Sequence, residues 1–205
     1  MDYPFSSLKS LGSIKSPDNA FRLFNWNVER DDYSQVYYCY ILIFDAKKKE
    51  YKFIELKDNS MMLPQKPTEI LEADNWYGAL YYKIIPMKKG AKTLYTVLGW
   101  DGNNSISGMK VIDVLNFTGS SVRLGSPVFK MPKETTKRVF FEFAKKTTMY
   151  LTYEEQYERI IFDRLNTQLD AISVQTLLLP IGLNVTYAEA SLAEEQQALL
   201  QSLGF

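Results

Sequence analysis

Carboxylates set beside aromatic residues are the side chains of this sequence whose type and placement offer acid–base chemistry. Asp113 lies in Val111-Ile112-Asp113-Val114-Leu115, where strand alternation puts it on one face with Val111 and Leu115. Asp163 shares a face with Ile161 and Leu165, while Glu142 points away from its neighbours Phe141 and Phe143. Two carboxylates about 5–10 Å apart can hydrolyse a glycoside. Strand carboxylates more often meet Arg or Lys across the ladder, and Arg138 and Arg164 are the candidate partners. The second reading is favoured, so no catalytic residue is assigned.

The sequence has no histidine and one cysteine, Cys39. That removes Ser-His-Asp and Cys-His nucleophiles, histidine-ligated zinc and imidazole acid–base work together. One thiol cannot build a Cys-only zinc site or an intrachain disulfide. Cys39 sits in Val36-Tyr37-Tyr38-Cys39-Tyr40-Ile41-Leu42-Ile43-Phe44, which reads as a buried small hydrophobe. Asp101-Gly102-Asn103-Asn104 has the look of a calcium loop but lacks the spaced acidic ligands and closing Glu, so a tight Asp-Gly hairpin turn is expected. No Gly-rich phosphate loop of standard spacing is present. No metal and no cofactor are therefore expected, and the balance leans against an enzyme.

Aromatic rings remain. Trp26, Trp76 and Trp100 would stack on sugar rings if exposed, and would anchor a core if buried. Trp76, Tyr77 and Trp100 lie near predicted strand ends and form the candidate ligand-binding set. Charge is balanced, with 24 basic and 24 acidic residues, so no overall field favours nucleic acid. Lys47-Lys48-Lys49, Lys88-Lys89 and Lys145-Lys146 read as solvated hairpin tips.

These side chains need elements to hold them. With 205 residues, 46% of them apolar, the chain can build one sizeable core. Short aromatic and β-branched runs bounded by Gly, Pro, Asn and Asp predict about ten antiparallel strands. Phe21–Val28 is the first; 35–44 and 50–56 form a hairpin, and the mixed alternation of 50–56 suits an edge or a rim. Residues 57–75 read as a connection with a short helical turn over 68–73. A meander follows from Asn75, in which 138–143 pairs with 149–153 across Lys145-Lys146, and 149–153 pairs in turn with 157–163 across Glu154-Glu155. The expected fold is all-β, an antiparallel meander forming a sandwich or partly open barrel.

Composition changes at Asn166. From there to Phe205 there is no Lys or Arg, and Asp170, Glu189, Glu194 and Glu195 give −4, leaving +4 on the preceding residues. Thr186-Tyr187-Ala188-Glu189 and Ser191-Leu192-Ala193-Glu194 fit capping boxes, and Leu192, Leu199, Leu200 and Leu203 recur at helical spacing. One short amphipathic C-terminal helix is expected. The organisation is a leading segment (1–20), a β domain (21–165) and an atypical tail (166–205).

Phe21-Arg22-Leu23-Phe24-Asn25-Trp26-Asn27, 76–85, Leu98-Gly99-Trp100-Asp101-Gly102-Asn103, 111–115, Phe141-Glu142-Phe143 and 161–165 together resemble an uncharacterised family of exported Gram-negative bacterial β-rich proteins with no assigned activity. The resemblance covers about Ser10 to Leu165. It departs at Arg164, where the family tends to have His, and in the tail. It implies a periplasmic or secreted setting. The chain as given starts with no basic stretch followed by an apolar one, so no signal peptide is expected within it, and it has no apolar run long enough to span a bilayer as a helix. The functional expectation is a noncatalytic binding or interaction domain of the bacterial envelope. Its partner would be an envelope protein, a glycan or a hydrophobic ligand, not nucleic acid. The alternatives are a lipid or hydrophobic-ligand carrier and a carboxylate-dependent hydrolase.

The setting of Cys39 makes a first prediction. A thiol-specific reagent labels native protein slowly and becomes fast only in denaturant; rapid native labelling would show an exposed or activated thiolate.

Overall fold

The computed structural model describes residues 11–45, 48–119, 121–131, 134–163 and 179–180. Strands β1 (Gly12–Lys15), β2 (Phe21–Glu29), β3 (Gln35–Asp45) and β4 (Glu50–Lys57) form a four-stranded antiparallel sheet in chain order. A second sheet has the spatial order β5-β9-β8-β7-β6, from β5 (Leu71–Glu72), β6 (Leu80–Lys89), β7 (Lys92–Asp101), β8 (Ser107–Thr118) and β9 (Ser121–Leu124). After a small pair, β10 (Phe129–Lys130) and β11 (Thr135–Thr136), strand β12 (Val139–Ala144) returns to β8. The last sheet holds β13 (Leu151–Glu154), β14 (Arg159–Phe162) and the two-residue β15 (Leu179–Pro180). The fold is all-β and antiparallel, with no closed barrel among the described residues. The expected C-terminal helix lies outside them. Among them, no helix is long and apolar enough to cross a membrane.

Alternation explains the layers. On β3, Tyr37, Cys39, Ile41 and Ile43 point inward with Phe21 and Leu23 of β2. They meet Tyr81, Tyr95, Val97, Val111 and Leu115 of the second sheet, with Trp76 and Ala79 of the segment that leads into β6. The opposite face of that sheet offers Ile85, Leu98, Ile112 and Val114 to a second cluster, which includes Phe129, Met149, Leu151, Ile160 and Phe162. Strand β8 is therefore covered on both sides, and 111–115 is continuously buried instead of alternating. Pro86 is accommodated because β6 is an edge strand, where a missing N–H costs no ladder bond. The irregularity in β6 at Tyr81–Lys83 is met from the facing sheet: Asn25 Oδ1 accepts from Tyr81 N at 2.6 Å, and Asn25 Nδ2 donates to Tyr81 O at 3.3 Å.

Several sequence expectations change. Residues 68–73 are not a helical turn, because Leu71 and Glu72 pair with Leu124 and Arg123 of β9. Asp101-Gly102 is not a two-residue hairpin: β7 ends at Asp101 and β8 begins at Ser107. Residues 139–144 pair with β8, not with 149–153, because β8 still has an open edge when the chain returns. A 3-10 turn, Glu155–Tyr157, replaces the start of the last predicted strand, and Glu158 closes it at φ 50°. The 35–45 and 50–57 hairpin forms as expected, with β4 at the sheet edge.

Asp113 and Arg138 meet in the interior. Arg138 Nε lies 3.3 Å from Asp113 Oδ2, with both side chains essentially inaccessible, too misaligned for a hydrogen bond but close enough for strong attraction. The other guanidinium nitrogens donate to the carbonyls of Pro67 (2.8 Å), Glu69 (2.7 Å) and Leu124 (2.9 Å). Burial pushes the Asp113 carboxyl above its ordinary range, and the Arg138 charge pulls it part of the way back. Removing one partner of a buried pair strands the other, at a cost of about 3–5 kcal/mol. Arg138→Met is expected to lower unfolding free energy by about that amount in urea titrations. Arg138→Lys should rescue little, since one ammonium cannot span three carbonyls. Wild-type stability in either variant would refute this role.

Candidate functional site

A cleft of about 300 Å³ opens at one end of the sandwich. The β2–β3 turn, the connection after β4 and the loop after β7 build it. Asp32 shapes the turn by accepting from Ser34 N (3.0 Å) and Ser34 Oγ (2.6 Å), and Tyr33 takes φ 66°. Gln35 faces the cleft with its amide engaged: Asn27 Nδ2 donates to Oε1 at 2.6 Å, and Nε2 donates to Glu29 Oε2 at 2.7 Å. In the third loop Asn104 Oδ1 accepts from Ile106 N and Ser107 N, and Asn103 adopts φ 51°.

Tyr37, Tyr77 and Met109 make the buried floor. Tyr37 Oη donates to Asp101 Oδ1 at 2.7 Å and accepts from Gly102 N at 2.7 Å. Asn103 N also donates to Asp101 Oδ1, at 2.7 Å. Gly102 is required by close approach: a Cβ would lie 2.9 Å from both the Gln35 side chain and the Trp100 ring. Lys145 Nζ donates to Gly102 O at 2.9 Å, so this lysine caps a backbone group and is not merely a solvated tip. Burial raises the Asp101 carboxyl above its ordinary value; Tyr37 and Asn103 oppose that shift, Asp58 adds to it and Lys145 opposes it. Burial and the Asp101 charge push the Tyr37 phenol far up, so it remains a neutral donor.

Of the sequence candidates, Trp76 is wholly buried and donates Nε1–H to Tyr81 Oη at 3.0 Å. Tyr77 is 3% exposed yet contributes to the cleft floor, and its hydroxyl lies 3.1 Å from Tyr81 Oη. Trp100 is half-buried behind Gly102. Only Tyr77 of the three lines the cleft; Trp76 is a core anchor because its ring faces the sheet interface. Trp26 lies on the outer face of the first sheet, stacked on Tyr38 at 5.1 Å. The three candidate carboxylates are dispersed. Asp113 pairs with Arg138, Glu142 with Lys66 (2.7 Å) and Ser107 Oγ (2.8 Å), and Asp163 Oδ2 accepts from Tyr150 N (2.6 Å). Among the described residues no group of acidic and cysteine side chains is arranged to hold a metal. Asp58 carried no isolating sequence signal and Asp101 stood out only as the start of an Asp-Gly turn; the fold brings both to one tyrosine.

A family model for the MutL C terminal dimerisation domain matches residues 146–205, under a third of the chain. No curated protein and no solved structure matches. The match supports an interaction domain in the coarse sense, and it overturns the exported setting. It points to a DNA mismatch repair family instead of exported Gram-negative β-rich proteins, and to a DNA-repair setting instead of a periplasmic or secreted one. It likewise conflicts with an envelope protein, a glycan or a hydrophobic ligand as partner. The earlier resemblance misled because aromatic strand motifs record a meander and carry no address.

The Tyr37–Asp101 contact yields a prediction. Tyr37→Phe strands the buried Gly102 N–H and is expected to cost about 1–3 kcal/mol in urea unfolding. It should also raise the Asp101 carboxyl further, read by carboxyl NMR titration. Because the folded-state value is already raised, Asp101 contributes stability present below its unfolded value and lost as pH climbs through the folded one. Asp101→Asn should remove that slope; an unchanged pH profile would show that Asp101 titrates normally.

Proposed function

We propose that this chain is a protein-interaction module that self-associates through the region spanned by residues 146–205. The match to a dimerisation domain over that segment carries the reading. Its described part supports it. Strands β13 and β14 pair in register from Leu151↔Phe162 to Glu154↔Arg159, and Leu151, Ile160 and Phe162 lock the pair onto the second core cluster. That anchoring leaves Tyr150 and Tyr157 more than half exposed. Exposed tyrosines on a rigid support suit a protein contact, since each adds large area with few rotors to order. The expected ligand set of Trp76, Tyr77 and Trp100 is narrowed to Tyr77, the one ring of the three at the cleft.

Sedimentation of the full chain over a concentration series tests the reading. The mass is expected to rise toward twice that of one chain. Tyr157→Asp and Leu199→Asp, both within the matched segment, should weaken association by about tenfold or more, roughly 1.4 kcal/mol. Phe53→Asp, on the exposed edge of the first sheet, should leave it unchanged. A constant single-chain mass would exclude self-association, and sensitivity to Phe53 alone would move the contact to the other sheet.

A further inference from the structure

We propose that the cleft floored by Tyr37 and Tyr77 is a receptor for a protonated alkylamine or alkylguanidine, a cation carried on a short apolar stem. The site is separate from residues 146–205, so it stands or falls apart from self-association. Three observations converge on it. The cavity of about 300 Å³ is large enough for a short alkyl chain with one charged head. Its floor is aromatic and apolar, from Tyr37, Tyr77 and Met109, and suits the methylenes of the stem, while the Arg138 guanidinium already lies 5.2 Å from the Tyr77 ring centroid.

The third observation is the carboxylate. Asp101 is clamped through one oxygen only: Tyr37 Oη and Asn103 N both donate to Oδ1, while Oδ2 receives no hydrogen bond from any described residue. Tyr37 Oη is held in turn by Gly102 N, so the carboxylate is positioned before any ligand arrives. Lys145, whose charge favours the ionised Asp101 carboxylate, donates its ammonium hydrogen bond to Gly102 O. Asp58, whose carboxylate accepts from Tyr37 N at 2.8 Å and from Ser60 N at 2.9 Å, adds a second negative charge on the same side. Burial of Asp101 first, and the Asp58 charge after it, raise that carboxyl above its ordinary value even against Tyr37, Asn103 and Lys145, so a further counter-charge would be favourable. A ligand ammonium or guanidinium would supply one, through a charge-assisted hydrogen bond in a partly desolvated site. Arg30 and Asp32 stand at the rim as a local pair of opposite charge and give the mouth no net sign.

Amide NMR of the full chain tests this, with the Gly102 and Asn103 signals as reporters. Titration with n-butylamine at neutral pH should move both signals saturably. n-Butanol, its uncharged isostere, should bind at least about tenfold more weakly. Nα-acetyl-lysine N-methylamide separates the two sources of the cation: tighter binding than butylamine assigns a protein lysine side chain, and weaker binding assigns a free amine. Asp101→Asn keeps an oxygen acceptor for Tyr37 and Asn103 and should lose at least about tenfold in amine affinity. The comparison of amine with alcohol decides even if that variant folds poorly. Equal response to butylamine and butanol, wild-type affinity in Asp101→Asn, or shifts confined to residues away from the cleft would overturn the proposal.

Discussion

A strand in the middle of a sheet has two edges, and in a dry interior every N–H and C=O along both edges needs a partner. On one side β8 meets this with β7 alone. On the other the partner changes partway: β12 covers Ser107–Ile112, and β9 covers Leu115–Thr118. Asp113 and Val114 sit at the fork between them. The fork is closed locally, since Val114 N donates to Asp113 Oδ1 at 2.7 Å and Val114 O accepts from Gly125 N at 2.8 Å. Placing a carboxylate there brings an anion into the core, and Arg138 answers it from the residue just before β12. The same guanidinium ties down the carbonyls of Pro67, Glu69 and Leu124, so connection, fork and returning strand are fixed by one side chain.

Strands β2, β3 and β4 of the first sheet were legible because each is an apolar, aromatic-rich run bounded by turn residues, whereas the short β1 fell in the segment read as leading the domain. The Asp113–Arg138 pairing was legible in part: a carboxylate within an apolar run demands a cation, and Arg138 was one of two available. The pairing of β12 was hidden, since nothing in Val139–Ala144 distinguishes a hairpin neighbour from a strand returning to β8 after a long excursion. The helical turn over 68–73 failed for a related reason. Two residues next to an open β9 edge follow tertiary demand over local propensity.

The cleft was legible only in pieces. Asp-Gly marked a turn, yet the constraint on Gly102 is the proximity of Gln35, distant in sequence, and of the Trp100 ring two residues back. Tyr37 looked like any inward aromatic of β3. Its hydroxyl gains meaning from the strand end that the second sheet brings opposite it. Trp76 shows the converse: a ring that sequence position made conspicuous is consumed by packing and by Tyr81.

The fork also sets an order of events. The chain completes β9 and then runs from Gly125 through Lys137 before β12 can dock. During that interval, six consecutive residues of β8 present an open, largely apolar edge. A folding molecule at this stage offers its neighbours a slot shaped for a strand of sequence VFFEFA, which every other copy carries. The topology therefore carries an opening for strand exchange between incompletely folded chains, the general hazard of an uncovered strand edge.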